Sequence, residues 1–190
     1  MDKSSARHEL QFKRAAMPQE QVINNSRLIV QHILDSELYK KANIIMGYLS
    51  FGKEVSIDLV LQQALADGKI VCVPQVVYGS NFMQAVRITG LKEFCLDKFG
   101  IRTPMEPYEV IRPQTLNLIL VPGVGFTKCG ARMGMGKGYY DQFLPQATQA
   151  AIVGVSHSLQ VAVAIPTDEY DITMQYLVTE RLLLACDKIL

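Results

Sequence analysis

Blocks of like charge, paired cysteines and long apolar runs are all missing from this chain of 190 residues. Nineteen basic residues against eighteen acidic ones leave a formal net charge of +1. The basic stripe of a general nucleic-acid binder is therefore absent, and contact with a polyanion is expected to be local. Cys72, Cys95, Cys129 and Cys186 form no CxxC pair and lie in or beside apolar sequence, as expected of reduced thiols in a reducing compartment. Three widely spaced histidines argue against a zinc site. The opening MDKSSARHELQFKR has no apolar core of a signal peptide, and no later segment reaches the roughly eighteen apolar residues of a membrane span. The expectation is a cytoplasmic protein with neither membrane nor nucleic acid as partner.

What is present is a composition with 49% hydrophobic and 19% charged residues, enough for one domain over residues 1–190 with a substantial core. Ser4 or Ser5 is predicted to cap a helix running to about Met17, with Pro18 in the first turn of the next helix, QEQVINNSRLIVQHIL. Residues 43–49 read as a strand, Ser56 as the cap of a helix ending near Asp67 and Gly68, and residues 70–73 as a strand stopped by Pro74. The order recurs with a strand at 116–121, a helix starting at 138–143 and a strand at 151–155. In the weakly patterned stretch 78–115, residues 83–89 read best as a strand. Alternating strands and helices with continuous apolar strands predict an α/β fold, its mainly parallel sheet covered on both faces.

The segment with most chemistry is GARMGMGKGYYD, residues 130–141, which threads glycines between Arg132 and Lys137. Gly134, Gly136 and Gly138 are expected to take positive φ and bring backbone N–H groups to an anion, with the two cations meeting phosphate oxygens. Asp141, a turn after Gly138, is placed to receive a magnesium ion bridging those oxygens. A Walker A loop is excluded by Ala131 and by Gly138 after the Gly-Lys pair. A dinucleotide fingerprint is excluded by Tyr139 where glycine is needed. A loop at the carboxyl end of the preceding strand is where open α/β sheets bind ligands.

Other residues stay open on spacing alone. Lys3, Arg7, Leu10 and Arg14 share one helical face, which spacing alone reads as a solvated basic face. Glu54 follows the first strand and is either a ligand-side carboxylate or a loop residue. Asp171 is either a second magnesium carboxylate or a turn cap. Cys129 beside Lys128 lacks a base for nucleophilic work, and His157 reads as a hydrogen-bonded histidine beside a strand.

The run LILVPGVGFTKCGARMGMGKGYYDQFL, with YLSFGKEVS, GKIVCVPQV and IPTDEYDITMQYLVTE, resembles the signature of the 5-formyltetrahydrofolate cyclo-ligase family. The resemblance implies a three-layer Rossmann-like fold related to ribose-5-phosphate isomerase and the CoA-transferases. It implies cyclisation of 5-formyltetrahydrofolate to 5,10-methenyltetrahydrofolate with ATP and Mg2+, in a monomer or weak dimer. By the same resemblance Lys3 and Arg7, with Arg132, Met133, Gly134, Met135, Gly136, Lys137, Gly138, Tyr139 and Tyr140, bind ATP. Leu49, Glu54 and Met135 to Tyr139 contact the folate, while Asp141 and Asp171 hold magnesium. Lys137, Arg132 and Tyr140 are the residues expected to act in catalysis. Thr103, Thr127, Tyr170 and Gln175 depart from the family's usual Glu, Asp, His and Asp. Two alternatives remain: a non-catalytic nucleotide or folate binder, and a phosphotransferase for another carbonyl or carboxylate substrate.

Overall fold

The computed structural model describes residues 2–77, 79–80, 82–92, 94–97 and 100–186. In chain order the elements begin with α1 (Lys3–Ala15), α2 (Gln19–Asp35), α3 (Glu37–Lys41), β1 (Ile44–Met46), α4 (Asp58–Ala66) and β2 (Ile70–Val76). Next come β3 (Met83–Ile88), β4 (Phe94–Leu96), β5 (Arg102–Pro104), β6 (Val110–Ile111), β7 (Leu118–Pro122), β8 (Gly125–Thr127) and β9 (Arg132–Met133). The chain closes with α5 (Tyr139–Phe143), β10 (Ala151–Val155), β11 (Val161–Ala162), β12 (Tyr176–Val178) and β13 (Leu183–Ala185).

An eight-stranded sheet has the order β13-β12-β10-β7-β1-β2-β3-β6. Its centre, β12-β10-β7-β1-β2, is parallel, and β13, β3 and β6 add antiparallel edges. Successive strand residues face opposite layers, which explains why these strands are apolar throughout. Ile45, Val71, Leu118, Leu120 and Val153 pack against Ile29 and Ile33 of α2 and Leu61 of α4. Met46, Cys72, Ile119, Val121 and Ile152 pack against Phe126, Phe143 and Leu144 on the other side. The result is the expected α/β arrangement of a sheet between two layers.

Several boundaries differ from the sequence expectation. Asp2, not Ser4 or Ser5, caps α1, its Oδ1 accepting from Ser4 N at 2.8 Å and Ser5 N at 2.9 Å. The helix thus starts early enough to include Lys3. Ser56 does not cap α4; its N–H donates to Ser26 Oγ at 3.0 Å, and the helix begins after Ile57. Pro74 does not stop β2, because pairing with β1 ends at Cys72 and beyond it, among the described residues, β2 pairs with β3 alone. A missing N–H is tolerated on such a one-sided stretch. An unforeseen hairpin, β8 and β9, stands between β7 and the glycine loop, turning at Gly130 with φ 88°. It returns the chain to the end of β7, where Arg132 Nη1 donates to Pro122 O at 3.4 Å.

Candidate active site

The C-terminal ends of the parallel strands open into a cleft of about 1110 Å³. α1 crosses one side of it, held to the hairpin by Ala6 and Leu10 against Val124 and Met133. The approach is close: a Cβ on Gly125 would lie 2.4 Å from Leu10 Cδ1. Residues 134–138 form one rim and 168–172 another, and Val76 of β2, Met83 of β3 and Ile101, just before β5, supply an apolar end.

All the residues singled out from the sequence as site candidates border this cleft: Lys3, Arg7, Leu49, Glu54, 132–141 and Asp171. The solvated-face reading of Lys3 and Arg7 therefore gives way. Arg7 Nε donates to Gly134 O at 2.9 Å, and its guanidinium lies beneath Gly136, where a Cβ would sit 3.5 Å from Cζ. Gly136 and Gly138 have the expected positive φ, 92° and 70°, but Gly134 does not. Its surroundings are tight instead, since a Cβ there would meet Arg132 Nη1 at 2.8 Å and the guanidinium would have to shift.

The cations fall into two classes. Lys137 is exposed on the loop, and among the described residues it has no ion pair. Arg132 is buried, with Nη2 on Asp141 Oδ1 at 3.0 Å and its guanidinium carbon 5.4 Å from the Tyr140 ring centroid. Lys3 Nζ bridges Asp168 at 2.7 Å and Asp171 at 2.5 Å. Burial disfavours the Lys3 charge, but hydrogen bonds to Asp168 and Asp171 outweigh it and raise the pKa; the same contact lowers that of Asp168. Two groups facing the cleft region, Arg132 Nε and the Tyr140 hydroxyl, are buried without a hydrogen-bond partner among the described residues.

Asp141 and Asp171 meet on one side, Ile172 N donating to Asp141 Oδ1 at 3.4 Å. Their other oxygens, Asp141 Oδ2 and Asp171 Oδ1, have no protein partner among the described residues. Among those residues no three His, Cys, Asp or Glu side chains group as a metal site. Two hard oxygen donors nonetheless suit magnesium, which takes one or two carboxylates and completes its shell with water and phosphate.

Glu54 stands at the far side, its side chain 17% exposed. Oε2 accepts from Phe51 N at 3.0 Å and Oε1 faces Arg14 Nη1 at 3.5 Å. Burial raises its pKa, opposed mainly by Arg14. Burial also raises the phenol pKa of Tyr140 and of Tyr48, so both stay neutral hydroxyls.

Sequence reasoning missed Asp168 and Arg14 as partners of site residues, and the Arg102–Asp58 ion pair at 2.7 and 2.9 Å near the apolar end. A third acidic residue three before Asp171 was the available signal for Asp168; nothing local marked the others. Among the departures, Thr127 Oγ1 accepts from Ala131 N at 3.1 Å in the hairpin turn, and Gln175 Oε1 accepts from Ile152 N at 3.0 Å. Thr103 Oγ1 donates to Gln75 Oε1 at 2.7 Å, and Tyr170 is exposed. Cys129 is not on the cleft lining, and His157 is the buried hydrogen-bonded histidine expected.

Residues 1–180 match the profile of the 5-formyltetrahydrofolate cyclo-ligase family. The chain is 31% identical over 189 residues to mouse 5-formyltetrahydrofolate cyclo-ligase, covering 94% of this chain and 93% of the mouse protein. With the Escherichia coli K12 enzyme of the same name it shares 27% identity over 142 residues, 73% of this chain and 78% of that one. The solution structure of Aquifex aeolicus 5,10-methenyltetrahydrofolate synthetase superposes with a TM-score of 0.86 at 30% identity, covering 99% of this chain and 94% of the other.

Proposed function

This chain belongs to the 5-formyltetrahydrofolate cyclo-ligase family, and on that premise we propose that its cleft closes 5-formyltetrahydrofolate to 5,10-methenyltetrahydrofolate with ATP. One observation carries the assignment of roles. Lys3 and Arg7, Leu49 and Glu54, Lys137 and Asp141, and Asp171 come from four distant segments and border a single cavity.

The formyl oxygen is a poor leaving group, so it must be activated. Fed by the N5 lone pair, it attacks the γ-phosphorus; the bond to the β–γ bridging oxygen breaks and ADP departs. N10 then adds to the formyl carbon and loses its proton to solvent, the carbon–oxygen bond breaks, and inorganic phosphate leaves the N5–CH–N10 ring. No strong base is needed to create the nucleophile. Catalysis consists of positioning and charge neutralisation.

In this scheme Lys137 holds the transferring phosphoryl group and the N–H groups of 133–139 approach its oxygens. Arg7 supports the loop from below Gly136. Arg132 backs the same phosphate from its buried place while bracing Asp141. Lys3 shifts from Asp171 toward the triphosphate when the nucleotide binds. Asp141 and Asp171 would hold Mg2+, which when bound would supply charge neutralisation for the triphosphate. The orphan Tyr140 hydroxyl, with Glu54 and Leu49, serves the folate. Residues 1–190 act as one domain, and each chain holds a full set of these groups, so a monomer suffices.

Mixing purified protein with 5-formyltetrahydrofolate and Mg-ATP should generate the ultraviolet band of the methenyl product, and omitting ATP should abolish it. ATP hydrolysis without the band would indicate another acceptor. Binding of both ligands without turnover would indicate a sensor.

A further inference from the structure

Arg14 lies outside the cleft lining, yet its guanidinium is directed at the one carboxylate assigned to the folate side. Its side chain is 11% exposed and fits between Glu54 Oε1 and the Gly123 carbonyl, each 3.5 Å from Nη1. The turn bearing Glu54 is fastened to the same helix a second time. Lys53 Nζ donates to Ala15 O and Met17 O, both at 2.6 Å, at the C-terminal end of α1. His157 holds the turn from the other side, through the Lys53 carbonyl at 3.2 Å.

We propose that Arg14 is a positioning residue for folate binding, which acts through Glu54 by fixing Oε1 and balancing its charge from behind the cleft wall. This rests on the reading of Glu54 as a folate contact. The chemistry requires such a partner. With Oε2 engaged by Phe51 N, an ionised Glu54 offers pure acceptor capacity to N–H donors of the substrate, whereas a protonated carboxyl spends one site on its own O–H. Burial pushes Glu54 toward the protonated form, and Arg14 opposes this. The other titratable groups around the pair do not substitute for it. Tyr48 and Tyr140 are neutral buried phenols, His157 beside Arg14 has its pKa lowered by burial, and the Lys53 ammonium is turned to the α1 carbonyls.

The test measures KM for 5-formyltetrahydrofolate and for ATP separately in Arg14→Met, Arg14→Lys, Glu54→Gln and the Arg14→Met/Glu54→Gln double variant. Losing one partner of a buried pair should raise the folate KM of Arg14→Met about tenfold or more, with the ATP KM within about twofold. The acid limb of kcat/KM for folate should move to higher pH in Arg14→Met, because Glu54 then ionises later. Arg14→Lys should restore the wild-type limb. In the double variant, which leaves no unpaired buried charge, the folate KM should match that of Glu54→Gln within about twofold. Should Arg14→Met fail to fold, Arg14→Lys and the double variant decide. A double variant much weaker in folate binding than Glu54→Gln, or an unshifted acid limb with both KM values rising together, overturns the proposal. An unchanged folate KM in Glu54→Gln would instead remove Glu54 from the folate site.

Discussion

Lys137 and Arg7 face the cleft without a carboxylate partner among the described residues, whereas Lys3 and Arg132 are each held by aspartates. The division decides which residue is most sensitive to loss. A charge-assisted hydrogen bond contributes about 1.5–3 kcal/mol net, so Lys137→Met should lower kcat roughly ten- to over a hundredfold at unchanged melting temperature. Near wild-type turnover would take Lys137 out of phosphoryl transfer. The identity of this residue was legible from its neighbours, because a lysine among glycines is unusual outside an anion loop. The fate of Arg132 was not: its pairing with Asp141 depends on where α5 begins relative to β9, and both residues could equally have faced the ligand. The need for glycine was likewise readable at 136 and 138 from conformation, whereas the tight fit at 134 comes from the guanidinium packed against it.

At the scale of elements, α1 is where pattern and outcome separate. The spacing of Lys3, Arg7, Leu10 and Arg14 defined one face, yet only its tertiary contacts, among them Leu10 against Gly125 and Arg7 on Gly134, show that this face turns inward. The opposite end of α1 depends on the 51–54 turn, which His157 ties to α2. Its Nδ1 accepts from Asn25 Nδ2 at 3.3 Å, and its Nε2 donates to Lys53 O at 3.2 Å, a pattern that suits the neutral ring. Burial lowers the His157 pKa from the usual 6.5. The unfolded chain therefore binds the proton first: this stabilisation is complete above the unfolded value and is lost as pH falls through the folded one. Thermal melts taken downward from about pH 7.5 to about pH 5.5 should show falling stability, with a shallower slope in His157→Gln. Equal slopes would mean that other groups set the acid response.

Over the whole molecule, the cleft brings the first helix against the 168–172 segment near the other end of the chain, although the strands of the sheet separate the two in sequence. A ligand that bridges these parts stabilises the folded state by mass action, about 2.7 kcal/mol at a hundredfold excess over Kd. For a domain of this size that corresponds to a melting shift of about 5–11 °C. Mg-ATP should produce a shift of this order and ATP with a chelator a smaller one; equal shifts would argue against magnesium on Asp141 and Asp171. The sequence by itself determined the strand and helix alternation, the apolar strands and the glycine loop, because each is written in neighbouring residues through periodicity, propensity and backbone freedom. Only tertiary structure decided which charges meet: Arg14 with Glu54, Lys3 with Asp168 and Asp171, Arg132 with Asp141. Coulombic pairing and desolvation depend on separation in space, and the pairs that span the chain are brought together only when the sheet, the hairpin and α1 are packed.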